Sequence, residues 1–212
     1  MGYSTDFSGA FTVTPPLKPE HSAYLAKFAE TRRMKRDAAI AETLADPVRL
    51  AVGLPIGHEG AYFVGGCDDH GNYDASVIDG NQSAGLPSHG KGLDFREWSR
   101  QKEAAINAGN AQPGLWCQWV PNVDGSEIEW DGGEKFTEYE EWLNYIIRHF
   151  LAPWGYQLNG EMGWSGDESE DHGVLYVRDN VVEAVMDSNP GPSWNRIDAE
   201  EDDRQDHRSE YV

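Results

Sequence analysis

GLWCQWVPNVDGSEIEWDGGEKFTEYEEWLNYIIRHFLAPWGYQLNGEMGW, residues 114–164, passes through three hydrophobic periodicities in succession. Gly114–Val120 and Glu127–Trp130 are β-type runs separated by a loop containing Asp124-Gly125, the pattern of a hairpin. In the second run Ile128 and Trp130 face one way and Glu127 and Glu129 the other, so one sheet face is expected to be apolar and the opposite one acidic. From Thr137 to Leu151 the period changes. Tyr139, Trp142, Leu143, Ile146, Ile147, Phe150 and Leu151 fall at i, i+3, i+4, i+7, i+8, i+11 and i+12, an amphipathic helix stopped by Pro153. Tyr156, Leu158, Met162 and Trp164 then alternate with Gln157, Asn159 and Glu161, the period of a half-buried strand.

Working outward, Val174–Arg178 and Val181–Val185 flank Asp179-Asn180 and predict a second hairpin. On the other side, Asp6–Thr14 alternates Phe7, Phe11 and Val13 with polar residues up to Pro15-Pro16, a strand. Tyr24, Leu25 and Phe28 then predict a helix from Pro19 to about Arg36. Within it, Arg32-Arg33-Met34-Lys35-Arg36 reads as a solvated helix end, where cations complement the helix dipole. Residues 53–92 hold ten glycines and predict irregular chain, and Asp94 caps a thin surface helix running to about Ala108. The order predicts an α+β fold: a mainly antiparallel sheet with two principal helices on one face, with ferredoxin-like (split βαβ) topology as the nearest named architecture. Residues 1–186 are expected to form one domain carrying a Gly-rich insertion at about 53–112, and 187–212 a mobile acidic tail.

The 212 residues include 37 Asp/Glu against 17 Lys/Arg, a net charge of −20. Residues 1–50 hold seven basic and six acidic side chains, and residues 51–212 hold ten and thirty-one, so the negative field belongs to the later chain. Such a field disfavours direct binding to nucleic acid or anionic membrane and favours basic partners. No apolar run approaches a membrane span and no signal peptide opens the chain, so the expectation is a soluble cytoplasmic protein. Cys67 and Cys117 cannot make a disulfide framework.

No phosphate-binding loop, dinucleotide fingerprint, nucleophile elbow, zinc-protease helix or EF-hand loop is present, and no catalytic set or cofactor can be named. Cys67-Asp68-Asp69-His70, with Asp74 and Asp79, offers metal ligands at no structural zinc spacing; solvated loop polarity is the plainer reading. Gly166–Gly173 packs four carboxylates into a loop without the calcium-binding order. His149 reads as a packed or rim residue beside Phe150.

What remains is a collective acidic array. The candidate partner contacts are Glu127, Glu129, Glu138, Glu141, Glu161, Glu168 and Glu170, expected to project together and to occupy a groove evolved for phosphates. Simple solubility is the alternative. Trp116, Trp119, Trp142 and Trp154 are candidates for recognition or for the core. An enzyme, small-ligand or metal site in the 53–92 region and a virion or assembly component are the competing readings.

The strings Thr5-Asp6-Phe7-Ser8-Gly9, Thr31–Asp37, Val52-Gly53-Leu54-Pro55, Pro113–Pro121, Ile128–Phe136 and His149–Tyr156 resemble a family of small uncharacterised proteins of bacteriophages and bacteria. The likeness extends over most of residues 1–186 and departs around 83–110 and in the acidic tail. It implies no activity or site residues. Its context implies a protein that binds and inhibits a basic host protein, one concerned with nucleic acid or defence.

Overall fold

The computed structural model describes residues 4–66, 73–87, 94–168 and 170–186. The two strings of the opening strand form β1 (Thr5–Gly9) and β2 (Phe11–Thr14), which pair with β7 (Gln157–Gly166) in one unbroken antiparallel register from Thr5↔Gly166 to Thr14↔Gln157. The predicted hairpin is β5 (Trp119–Pro121) and β6 (Glu127–Trp130), with Trp119 opposite Trp130. The second is β8 (His172–Arg178) and β9 (Val181–Met186). Asp179 and Asn180 both take positive φ in its two-residue turn, the backbone twist that matches the flanking strands. The sheet order is β5-β6-β2-β7-β8-β9, every pairing antiparallel.

One helix, α1 (Pro19–Glu30), follows β2, and another, α5 (Tyr139–Ile146), lies between β6 and β7. Both bury their apolar stripes in the cluster that takes Phe11, Val13, Trp119, Ile128, Leu158, Met162 and Leu175 from the strands, so both cover the same sheet face. The architecture is α+β with a mainly antiparallel sheet. Strands in the order β7-β2-β6-β5 with helices after the first and third in sequence have split βαβ connectivity. The β8–β9 hairpin and the long insertion go beyond it.

Aromatic rings carry the packing. Phe7 meets Trp119, Trp130, Phe136 and Tyr139 edge to face at 5.1–5.9 Å. Phe150 meets Tyr24, Phe28, Tyr62 and Trp154 at 5.0–5.6 Å. Phe150 lies in a π turn (Ile147–Leu151) that continues α5, where Ala152 N–H reaches the Ile147 carbonyl at 2.9 Å. The predicted helix over 137–151 is thus real, but its last turn is widened.

The reading of 31–36 as a helix end is corrected. Thr31 leaves the helix in an extended conformation, its hydroxyl donating to the Lys27 carbonyl at 2.7 Å. Met34–Arg36 is a strand, β3, paired with β4 (Val77–Ser83), so regular structure exists inside the segment read as irregular. The insertion therefore runs from Thr31 to Gln118, holding α2 (Ala38–Ala41), α3 (Pro47–Ala51), a 3₁₀ turn (His58–Gly60) and α4 (Phe95–Asn107). Three residues of the basic run, Arg33, Lys35 and Arg36, are buried rather than solvated. The Arg33 guanidinium donates to the carbonyls of Phe63 (2.6 Å), Ala61 (3.3 Å) and Phe28 (3.4 Å). Lys35 donates to Leu86 O at 2.8 Å and pairs with Glu59 at 3.2 Å, while Arg36 bonds Asp74 at 2.5 Å and Ser76 at 2.7 Å. An irregular segment has many carbonyls outside any ladder, and long cationic side chains supply several donors each to satisfy them. Burial lowers the Arg33 pKa to about 10, which leaves it charged at neutral pH.

Candidate functional site

On the strands of the seven-stranded sheet Asp6, Glu127, Glu129 and Glu161 occupy positions facing away from the helices, while Glu183, on edge strand β9, lies near enough to Glu140 of α5 to raise the pKa of that residue. The sequence neighbours of the first four, among them Phe7, Ile128 and Met162, point into the core, and period-two alternation does the rest. The strands of this sheet contain a single Lys or Arg, Arg178. The pairings Phe11↔Ile128 and Gly9↔Met162 set Ala10 between Glu129 and Glu161, so these two exposed glutamates share one row across the sheet. Two inter-strand steps separate them by about 9.6 Å. Glu127 also lies on this face and accepts a hydrogen bond from Asn122 Nδ2 at 3.1 Å.

The rest of the expected array lies elsewhere, and the expectation of one acidic side is corrected. Glu138 and Glu141 are at the start of α5, in the layer that covers the opposite face. Glu138 is paired with Lys102 of α4 at 2.6 Å. Glu168 and Glu170 are exposed in the β7–β8 turn at one end of the sheet. Continuity in sequence did not become continuity in space because the strand and the helix of the array lie in different layers. Asp6 was missed; the alternation Asp6-Phe7-Ser8 carries the signal.

Of the tryptophans, Trp119 and Trp142 are core. Trp154 is half-buried and stacks on His21 with ring centroids 4.1 Å apart, and Trp116 lies 6.0 Å from the Arg32 guanidinium. Cys117 is buried and its thiol is pushed up to about 12 by desolvation, so it is no nucleophile at neutral pH. Cys67, Asp68, Asp69 and His70 fall outside the described residues, as does the expected acidic tail. Asp74 is committed to Arg36 and Ser76: burial opposes its charge, but those hydrogen bonds outweigh it and hold the carboxyl below its usual value. Asp79 accepts from Asn81 N–H at 2.9 Å. Among the described residues no three His, Cys, Asp or Glu side chains gather to hold a metal ion, and no helix is long and apolar enough to cross a membrane.

A second feature was not expected. Between α4, the segment after it and the outer side of α5 lies a cleft of about 300 Å³, with Glu141, Asn144, Tyr145 and Arg148 along one wall. His149, at the π turn, also lines it. Its Nε2–H donates to the Gly109 carbonyl at 3.1 Å, which leaves Nδ1 to accept from the Tyr62 hydroxyl at 2.8 Å. The α5 signal was there in Glu141, Asn144 and Arg148 at i, i+3 and i+7, but nothing in sequence told that α4 would stand opposite.

Two partly buried histidines, His21 and His149, are expected to make stability depend on pH. Desolvation lowers the pKa of His21 and His149 below 6.5 in the folded state. The unfolded chain then takes up protons first, so their contribution is whole above 6.5 and disappears as pH falls through the folded values. Urea midpoints are expected to fall from about pH 8 to about pH 5.5, and less steeply in His149→Gln. Glu140 and Glu141, whose pKa values burial raises, work in the opposite sense toward the acid end. A wild-type slope that His149→Gln leaves unchanged would remove His149 from this account.

Searches of protein families, curated proteins and solved structures give no match to this chain. The candidate sites therefore rest on their own geometry.

Proposed function

We propose that this protein is a non-enzymatic interaction protein that docks a basic protein partner on the open face of its sheet, where its carboxylates take the place of nucleic-acid phosphates. The observation that carries this reading is the composition of the open face, which holds Asp6, Glu127, Glu129 and Glu161, with Glu129 and Glu161 set in one row and no helix of the described residues above them. Carboxylates on a sheet present charge from a backbone already ordered and suit a groove lined by Arg and Lys. The likeness to phage and bacterial proteins suits a host nucleic-acid-binding or defence protein as the partner, with inhibition as the outcome.

The test uses a fluorescent Arg/Lys-rich peptide and two double reversals of equal charge. Glu129→Lys/Glu161→Lys alters the face, and Glu168→Lys/Glu170→Lys alters the turn. The face variant is expected to lose about tenfold or more in affinity, the turn variant much less, and duplex DNA should compete for the peptide. Equal losses in the two variants would reduce the interaction to net charge and defeat the proposal.

A further inference from the structure

The α4–α5 cleft, on the helical side of the sheet and independent of the acidic face, has the size of a small-ligand site at the lower end of the usual range. Two opposite charges stand along its α5 wall, and neither has a side-chain ion pair among the described residues. Burial raises the pKa of Glu141, whose carboxylate is held by its own backbone N–H and the more distant charge of Lys102. Arg148 is exposed and makes no hydrogen bond among the described residues, and its guanidinium rests against Gly109. Gly109 has φ +69°, and a Cβ there would collide with the guanidinium, so the missing side chain is what lets Arg148 lie over the cleft. Helix dipoles favour both charges, Arg148 near the C-terminus of α4 and Glu141 in the first turn of α5, but neither dipole places a counter-ion in the cleft.

Seven residues of helix place Glu141 and Arg148 about 10 Å apart along the axis. Between them Asn144 presents an amide, and the facing wall offers Asn107 with the apolar Ile106, Ala111 and Pro113. A ligand with one charge would leave the other buried beneath it without a partner, which is costly. A ligand that answers both carries an ammonium and a carboxylate at its two ends, amides between them, and small apolar substituents. Peptide backbone advances about 3.3–3.6 Å per residue, so two to three residues span the gap.

We propose that this cleft binds short zwitterionic peptides, dipeptides or tripeptides, with the N-terminal ammonium at Glu141 and the C-terminal carboxylate at Arg148.

The experiment is calorimetric titration of the full chain with the tripeptide Ala-Leu-Ala and with its N-acetyl and C-amide forms. The free tripeptide should bind saturably, and each cap should weaken it about tenfold or more. In Glu141→Gln the acetyl penalty should vanish while the amide penalty persists, and in Arg148→Gln the reverse should hold, a crossed pattern that general unfolding does not produce. No saturable binding up to about 10 mM, or capped forms that bind as well as the free peptide, overturns the proposal.

Discussion

Asp46→Ala is expected to cost about 3–5 kcal/mol of folding stability, a large share of what a domain of this size possesses. Asp46 is 1 % exposed and sits at the start of α3. One of its oxygens accepts the Arg49 backbone N–H at 3.3 Å; the other accepts Arg49 Nε at 3.1 Å and Val64 N–H at 3.0 Å. Removing the carboxylate leaves the buried Arg49 guanidinium with the Leu54 carbonyl and a Glu42 oxygen 3.9 Å away. The penalty comes from the orphaned cation more than from the lost attraction. Asp46→Ala/Arg49→Met should therefore be more stable than Asp46→Ala alone. Urea unfolding of both variants measures this, and a double variant less stable than the single one would contradict the account.

Phe150→Ala should cost about 3–5 kcal/mol as well, through a different cause. The ring is fully buried at the centre of a five-ring cluster that joins α1, the insertion and α5. These neighbours belong to three separate segments held by their own backbone bonds, so the cavity cannot collapse and the high end of the range applies. His149 and Tyr145, which line the cleft, both pack against the same ring. Ligand binding in the cleft should suffer with stability in Phe150→Ala, whereas Glu141→Gln should weaken binding with a much smaller change in stability. Thermal unfolding beside calorimetry separates the two effects.

How much was legible depends on the range of the interactions involved. Strand β7, both hairpins and α5 could be read because each buries one face, and a buried face imposes its period on the residues that make it. The left-handed pair Asp179-Asn180 and the cap Asp94, whose carboxylate accepts Glu97 N–H at 2.8 Å, are local chemistry and were equally readable. The run Arg32–Arg36 was misread because charge ordinarily means exposure. Its burial follows from carbonyls of Phe28, Ala61, Phe63 and Leu86, which sequence spacing does not bring to mind.

The sites divide in the same way. The acidic outer face was readable on β6 and β7 as Glu127, Glu129 and Glu161 in alternation with core residues. That Glu129 and Glu161 share a row depends on β1 and β2 lying between β6 and β7, a pairing of segments more than a hundred residues apart. Helix α4 could be predicted from its cap and composition, yet its position opposite α5, held in part by Lys102 on Glu138, belongs to the assembled chain.

Alternation and helical spacing, both properties of adjacent residues, by themselves determined the strands of the main sheet, the helices α1 and α5 and their apolar faces, and composition determined that the later chain is strongly anionic. Tertiary structure alone decided that the acids part into two layers, that three cations of a basic run are interior donors, and that Glu141 and Arg148 look into one cleft. Local periodicity sets the direction of a side chain relative to its own element, whereas its neighbours are set by packing between elements, and that information is spread over the whole chain.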